Sequence, residues 1–166
     1  MPTLAELHQQ GALLKLDPQL GPREQEERLI YASPRFAQWV AEELPHLGTD
    51  RALEVLPEGQ LDALFADFTS GKVLTYEHQF KPLHPRSENT WELKTGDLRI
   101  FGWFVRMDCF IAVAATTKGF ILEHQGIVAG FVGDVVRFRN LLDLDPPKLI
   151  EGDDPNAVVS NYDRPA

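Results

Sequence analysis

The amino-acid sequence predicts an α+β fold in which N-terminal helices precede a small antiparallel sheet packed by a C-terminal helix. Between residues 80 and 118, short aromatic and β-branched runs alternate with Gly, Asn, Ser, Pro and Asp, a pattern typical of consecutive antiparallel strands. The chain before this stretch has mostly helical spacing. After it, apolar residues recur every three or four positions, as in an amphipathic helix, at Ile127, Phe131, Val135, Phe138 and Leu142.

The first 71 residues predict short helices. Residues 3–16 favour a short, fraying helix, and two prolines with a glycine make residues 17–22 a linker. The Glu-rich run at 23–31 predicts a helix in which Glu24 pairs with Arg28. Ser33-Pro34 is typical of an N-cap followed by proline at the first helical position. A further helix is predicted at 57–69, with Ser70-Gly71 closing it.

The middle of the chain predicts the sheet. Alternation over 73–80 indicates a half-exposed strand, and further strands are predicted at 91–94 and 98–105. The uniformly apolar run 109–115 favours a central strand covered on both faces. A brief extension through 120–122 leads into the final helix near His124. In that helix Gly126, Gly130 and Gly133 form a row of small residues that predicts close approach to another backbone, and the tail beyond it is expected to be irregular and partly mobile.

Composition places the chain in a single soluble domain. It divides into an acidic helical extension (1–55), an α+β core (56–142) and an acidic, proline-containing tail (143–166). The lone cysteine, Cys109, rules out an internal disulfide framework and favours a reducing compartment. No apolar stretch reaches the roughly 18 to 20 residues that a membrane span requires. We therefore expect a cytoplasmic protein without a membrane partner.

The charge is distributed unevenly along the chain. The net charge of −9 taken alone argues against a nucleic-acid ligand. However, residues 1–71 carry 5 basic and 12 acidic side chains, residues 72–139 carry 9 and 7, and residues 140–166 carry 2 and 6. The strand-rich middle is thus mildly basic between two acidic flanks.

Two of the predicted strands carry a family resemblance. Trp91-Glu92-Leu93-Lys94 followed by Leu98-Arg99-Ile100-Phe101, and then an apolar strand ending in Lys118, resembles the RelE/ParE toxin superfamily, in particular its HigB-like, phage-derived branch. The resemblance covers roughly residues 55–140. It implies a toxin-antitoxin or phage-derived protein that cuts mRNA on the ribosome without a metal or cofactor and is held silent by an antitoxin. Other branches of that superfamily poison gyrase.

The resemblance implies two site residues, and their neighbours in the sequence add further candidates. Arg99 matches the strand arginine and Lys118 the lysine after the next strand, so both are candidate catalytic groups. Lys81 is a candidate charge stabiliser and His124 a candidate proton carrier. The candidate substrate-binding residues are Lys94, Trp103, Tyr76 and His78. Among them, Trp103 is placed by alternation on the same face of its strand as Arg99.

Alternative interpretations stay open. Arg99 could support the fold by pairing with Glu92 or Asp97, and His124 could be a helix cap. The acidic lobe could be a solvated helical face, or it could cover the basic face as an antitoxin would. The alternative function is a catalytically silent module that binds a protein partner or blocks a host complex, and a third is an acidic nucleic-acid mimic. The sequence contains no Gly-rich phosphate loop and no His or Cys cluster with metal spacing.

Overall fold

The computed structural model describes residues 1–17, 20–49 and 55–165, so Pro18 of the predicted linker lies outside the described residues. The elements follow one another as α1 (Leu4–Gln9), β1 (Leu14–Lys15), β2 (Leu29–Ala32), α2 (Pro34–Glu42), α3 (Pro57–Thr69), β3 (Leu74–Thr75), β4 (Phe80–Pro82), β5 (Trp91–Lys94), β6 (Leu98–Arg106), β7 (Cys109–Thr117), α4 (Lys118–Glu123), α5 (Ile127–Leu141), α6 (Pro155–Val158) and β8 (Tyr162–Asp163). The predicted α+β class is confirmed.

The main sheet has the strand order β1-β2-β7-β6-β5-β4. The four strands β4 to β7 are successive antiparallel neighbours, as the alternation of short apolar runs and turn residues predicts. The central position of β7 is also confirmed, since β2 and β6 flank it. One edge of the sheet is therefore β4, the strand that carries the predicted site residue Lys81.

The N-terminal segment is not entirely helical, which corrects the sequence-based expectation. Residues 29–32 form β2, which pairs in parallel with β7 from Leu29 opposite Cys109 to Ala32 opposite Ala112. The predicted helix at 23–31 is wrong. Its Glu-rich run has helix-forming residues but no apolar face to bury, and tertiary packing supplies most of the stability of a short helix.

Three of the predicted helices are confirmed. Ser33 caps α2 by accepting a hydrogen bond from the Phe36 N–H at 3.0 Å, with Pro34 in the first turn. Helix α3 has the predicted bounds, and Gly71 follows it with a φ of +80°, the left-handed conformation that favours glycine. Helix α5 begins after Gly126, close to the predicted start.

The segment 73–80 is not one strand. It is divided into β3 and the first residue of β4 by a turn in which Glu77 has a φ of +71°. The side chain of Gln79 stabilises this turn by accepting a hydrogen bond from the Thr75 N–H at 2.8 Å. His78 is therefore exposed at a turn, whereas Tyr76 and Phe80 are buried. The predicted extension at 120–122 is likewise wrong, because these residues belong to α4.

Each face of the sheet has its own apolar core. Ile100 and Phe104 of β6 point to the core shared with α2 and α3. Phe101 and Trp103 point to the opposite core, which α1 and α5 cover. The tail also contributes, since α6 and β8 form there and Val158 is fully buried, so the expectation of an irregular tail is wrong for these residues. The N-terminal segment and the C-terminal tail therefore both contribute to the apolar cores of the main sheet.

Candidate functional site

A basic groove lies where α3 meets the β5–β6 turn. The groove encloses about 540 Å³, and four predicted site residues line it: His78, Lys94, Arg99 and Lys118. A second cavity of about 440 Å³ is lined by Tyr76, His78, Lys81 and Lys94, together with His84 and Arg86. Because His78 and Lys94 line both cavities, the two form one continuous basic surface near the β4 edge.

The strand register explains why these cations converge. Lys81 on β4 lies opposite Glu92 on β5, and Lys94 on β5 lies opposite Arg99 on β6. Side chains two apart on a strand share a face, so Glu92 and Lys94 point the same way. The three cations therefore surround Glu92 on one face of the sheet.

Glu92 is the principal residue of this site whose role the sequence did not predict. Glu92 is only 5% exposed, and its Oε1 lies 3.6 Å from the Lys81 Nζ. Burial raises the pKa of the Glu92 carboxyl, while the charges of Lys81, Arg99 and Lys94 act in the opposite direction. The sequence suggested Glu92 only as a partner that would make Arg99 structural.

Lys94 has the electrostatics of a potential proton acceptor. Its Nζ donates a hydrogen bond to the Glu77 carbonyl at 2.9 Å. Partial burial lowers the pKa of the Lys94 ammonium, and the positive charges of Arg99, Lys81 and Lys118 lower it further, while the negative charge of Glu92 opposes the shift. A lysine in such surroundings gives up its proton more readily than a solvated one.

Arg99 is held by the turn that precedes it. Its Nη1 donates to the carbonyls of Thr95 and Leu98, at 2.7 Å each. The turn itself is held by Gln60 of α3, whose Oε1 accepts from the Thr95 hydroxyl at 2.7 Å and the Asp97 N–H at 2.9 Å. The Gln60 Nε2 donates to Asp97 Oδ2 at 2.7 Å and to the Val55 carbonyl at 2.9 Å. One glutamine thus fixes the turn that positions Arg99.

The Gln60→Leu substitution is expected to lower the free energy of unfolding by about 1–3 kcal/mol, because the nearly buried Asp97 carboxylate and N–H would lose their partner. Urea denaturation measures this change. Gln38→Leu is the matched control, since among the described residues the Gln38 amide donates one exposed hydrogen bond, to Glu42 at 3.1 Å. Equal effects of the two substitutions would show that Gln60 does not hold the turn.

Two predicted site residues lie outside both cavities. His124 is exposed at the end of α4, where its ring stacks on Phe120 with centroids 4.0 Å apart and its Nδ1 lies 3.0 Å from the Phe120 carbonyl. The groove is lined by His78 and not by His124. The extended segment that the sequence predicts before His124 is instead helix α4, which carries His124 away from the groove.

Trp103 shares the face of Arg99, as alternation predicts, but it is fully buried beneath α5 and donates its Nε1–H to the Lys148 carbonyl at 2.8 Å. It cannot stack on a base while it is packed there, so its expected substrate-binding role is corrected to a supporting one. Tyr76 does line the second cavity, although its ring is largely covered by Phe80 and Tyr162.

Comparisons with protein-family models, with curated proteins and with solved structures find no match to this chain. Within the described ranges, no helix combines the length and the apolar character needed to cross a bilayer. The described residues also include no group of three or more His, Cys, Asp and Glu side chains that could hold a metal ion. The geometry of the basic groove is therefore the main basis for proposing a function.

Proposed function

We propose that this chain is a toxin-like endoribonuclease that cleaves single-stranded RNA, in the manner that its resemblance to the RelE/ParE superfamily implies. The supporting observation is that Lys81, Lys94 and Arg99 gather around the buried Glu92, and that Lys118 lines the groove together with Lys94 and Arg99. These basic side chains come together although the whole chain has a net charge of −9, so the positive charge is a local feature of this site.

The charge pattern favours a phosphate ligand. Phosphate binding to proteins is driven by Lys and Arg side chains. In the groove a guanidinium and two ammonium groups, those of Arg99, Lys94 and Lys118, converge beside the imidazole of His78. Such an arrangement supplies both charge and hydrogen-bond donors to a phosphodiester.

The proposed reaction uses the ribose 2′-hydroxyl as nucleophile. Once Lys94 has lost its proton to solvent, which its lowered pKa favours, its amine takes the 2′-hydroxyl proton as the bond from O2′ to phosphorus forms. The bond from phosphorus to O5′ breaks, and His78 gives its proton to the leaving O5′. Arg99 and Lys118 stabilise the charge on the non-bridging oxygens. The products are a 2′,3′-cyclic phosphate and a 5′-hydroxyl, so the reaction consumes no water or cofactor.

The site also fits the proposed biological setting. RNA cleavage on the ribosome, with an antitoxin as the silencing partner, is the role that the resemblance implies, and both are proposals for this chain. Helix α3, which belongs to the 56–142 core, forms one wall of the groove through Gln60, Leu64 and Asp67. Removing residues 1–55 would therefore leave this wall in the chain.

A second candidate function is the binding of a protein partner without catalysis. It is favoured by a separate groove of about 510 Å³, where Trp39 of α2, Phe120 of α4 and Phe131 of α5 meet over β7. Phe120 is 39% exposed there. Salt separates the two functions, because binding through several phosphates weakens steeply as salt increases and binding through an apolar interface does not.

Cleavage of a labelled single-stranded RNA tests the proposal. We expect the wild type to leave 2′,3′-cyclic phosphate ends, and we expect Arg99→Ala and Lys118→Ala each to slow cleavage by about 10²- to 10³-fold, because each removes charge that stabilises the transition state. RNA with a 2′-deoxy residue at the cleaved position should resist the enzyme.

Arg137→Ala is the matched control, since Arg137 is an exposed arginine of α5 paired only with Asp134 among the described residues. It should cleave at the wild-type rate. RNA binding without any cleavage by the wild type would contradict the catalytic proposal, and salt-insensitive association with protein alone would favour the second candidate. Growth and total translation in cells that express the same variants extend the test to the ribosome.

A further inference from the structure

The second cavity combines two residues of the proposed reaction, His78 and Lys94, with chain segments that the reaction does not use. The turn before β4 supplies His78, β4 supplies Lys81, and the loop between β4 and β5 supplies His84 and Arg86. The cavity is thus lined by two histidines, by the cations Lys81 and Arg86, by the Lys94 that it shares with the groove, and by one acidic residue, Glu77. Such a lining suits an anion rather than an apolar group.

The loop that carries His84 and Arg86 is firmly anchored. Arg139 of α5, only 6% exposed, donates to the Glu88 carbonyl at 2.8 Å and to the Asn89 carbonyl at 3.2 Å. The Gly152 N–H donates to Asn89 Oδ1 at 2.7 Å, which ties the loop to the tail. A buried arginine is costly unless hydrogen bonds compensate for the water that it loses, and these loop carbonyls accept its hydrogen bonds. Here they hold the loop that completes the cavity.

Arg86 is oriented by the tail as well. Its Nη1 lies 2.6 Å from Asp153 Oδ2, and the pair is about half exposed. An arginine uses at most two or three of its five donors on one carboxylate, so the other donors of Arg86 are available to a ligand in the cavity. The tail therefore orients Arg86 and leaves part of its N–H donors for a ligand.

The two cavities are neighbours, because His78 and Lys94 line both. We propose that the second cavity binds a neighbouring phosphate of the same RNA strand, so that the preferred ligand is a single-stranded oligonucleotide carrying at least two successive phosphates. This inference rests on the proposed function of the groove, and it adds a substrate length and a subsite at Lys81, His84 and Arg86.

Ligand length provides the test. We measure equilibrium binding of the full-length protein to an RNA hexanucleotide and to an RNA dinucleotide with a single phosphate, over a range of salt concentrations. The wild type should bind the hexanucleotide more tightly and with a steeper salt dependence. Arg86→Ala should weaken hexanucleotide binding by about tenfold and reduce the salt slope by about 1, with dinucleotide affinity unchanged.

Arg137→Ala is again the matched control, because it too removes an exposed arginine paired with an aspartate. It should bind both ligands like the wild type. If Arg86→Ala weakens both lengths equally, or neither, the subsite is overturned while RNA binding in the groove stands. If the wild type binds neither ligand, the proposed function and the subsite fail together. Circular dichroism of each variant confirms that a lost affinity is not lost folding.

Discussion

The Arg28→Ala variant is expected to lose about 3–5 kcal/mol of its free energy of unfolding, as when one partner of a buried ionic network is removed. The Arg28 side chain is 1% exposed, and all five of its N–H donors have an acceptor. The acceptors are Asp108 Oδ1 and four carbonyls: those of Asp67, Phe68, Lys72 and Asn161. Alanine would remove all five of these hydrogen bonds at once and leave a cavity where the buried guanidinium lies.

The hydrogen bonds of Arg28 join distant parts of the chain. They connect β2 to the end of α3, to the turn between β6 and β7, and to the tail before β8. The guanidinium also lies 5.4 Å from the centre of the Phe68 ring. Burial lowers the pKa of this guanidinium, and Asp108 opposes the shift. The charge is thus retained inside the protein by its partners.

Urea denaturation followed by circular dichroism measures the effect. Arg28→Lys should recover only part of the stability, because an ammonium has three donors and cannot span the same acceptors. Arg137→Ala should change the free energy of unfolding by less than about 1 kcal/mol, since exposed ion pairs contribute little. A loss from Arg28→Ala as small as that of Arg137→Ala would refute the assigned role.

Arg28 also shows where sequence-based prediction of the fold fails. Its neighbours Glu24 to Glu27 are good helix formers, so the local sequence predicts a surface helix in which Glu24 and Arg28 form an i,i+4 ion pair. The actual environment of Arg28 comes from α3, the β6–β7 turn and the tail, which are 39 to 133 residues away in sequence. Long-range parallel pairing such as that of β2 with β7 leaves no turn signal next to the strand. By contrast, β4 to β7 could be predicted because each hairpin carries its own alternation and turn residues.

The candidate site was predictable to the same extent as the strands that carry it. Lys81, Lys94 and Arg99 follow from strand alternation, which fixes the face of each side chain. Alternation does not tell what covers that face, so Trp103 was expected to be accessible although the amphipathic helix α5 buries it. The importance of Glu92 could not be predicted, because the sequence does not show which carboxylates are buried. Its importance comes from the cations that the register brings around it.

The Gly102→Ala variant is expected to lose about 3 kcal/mol of stability or more, because the site has no room for a methyl group. A Cβ on Gly102 would lie 1.9 Å from the Ile111 carbonyl oxygen and 2.8 Å from the Phe110 Cζ. Gly102 sits beside a register shift in which Phe101 faces Ala114 and Gly102 faces Ala112. The irregularity brings the two longest strands together at this point, which is a known use of glycine within strands.

Gly133→Ala provides the opposite expectation in the same protein. Gly133 lies inside α5, and a Cβ there would meet no atom within 4 Å, so the predicted close approach of this glycine row to another backbone is wrong. Alanine at an open helical position should raise the free energy of unfolding by about 0.5–1 kcal/mol, since it reduces the entropy of the unfolded chain. Urea denaturation of both variants therefore compares one added methyl group in two backbone environments. If both substitutions stabilised the protein, the close contact between β6 and β7 at Gly102 would be refuted, and with it the packing that orders β6 from Arg99 to Trp103.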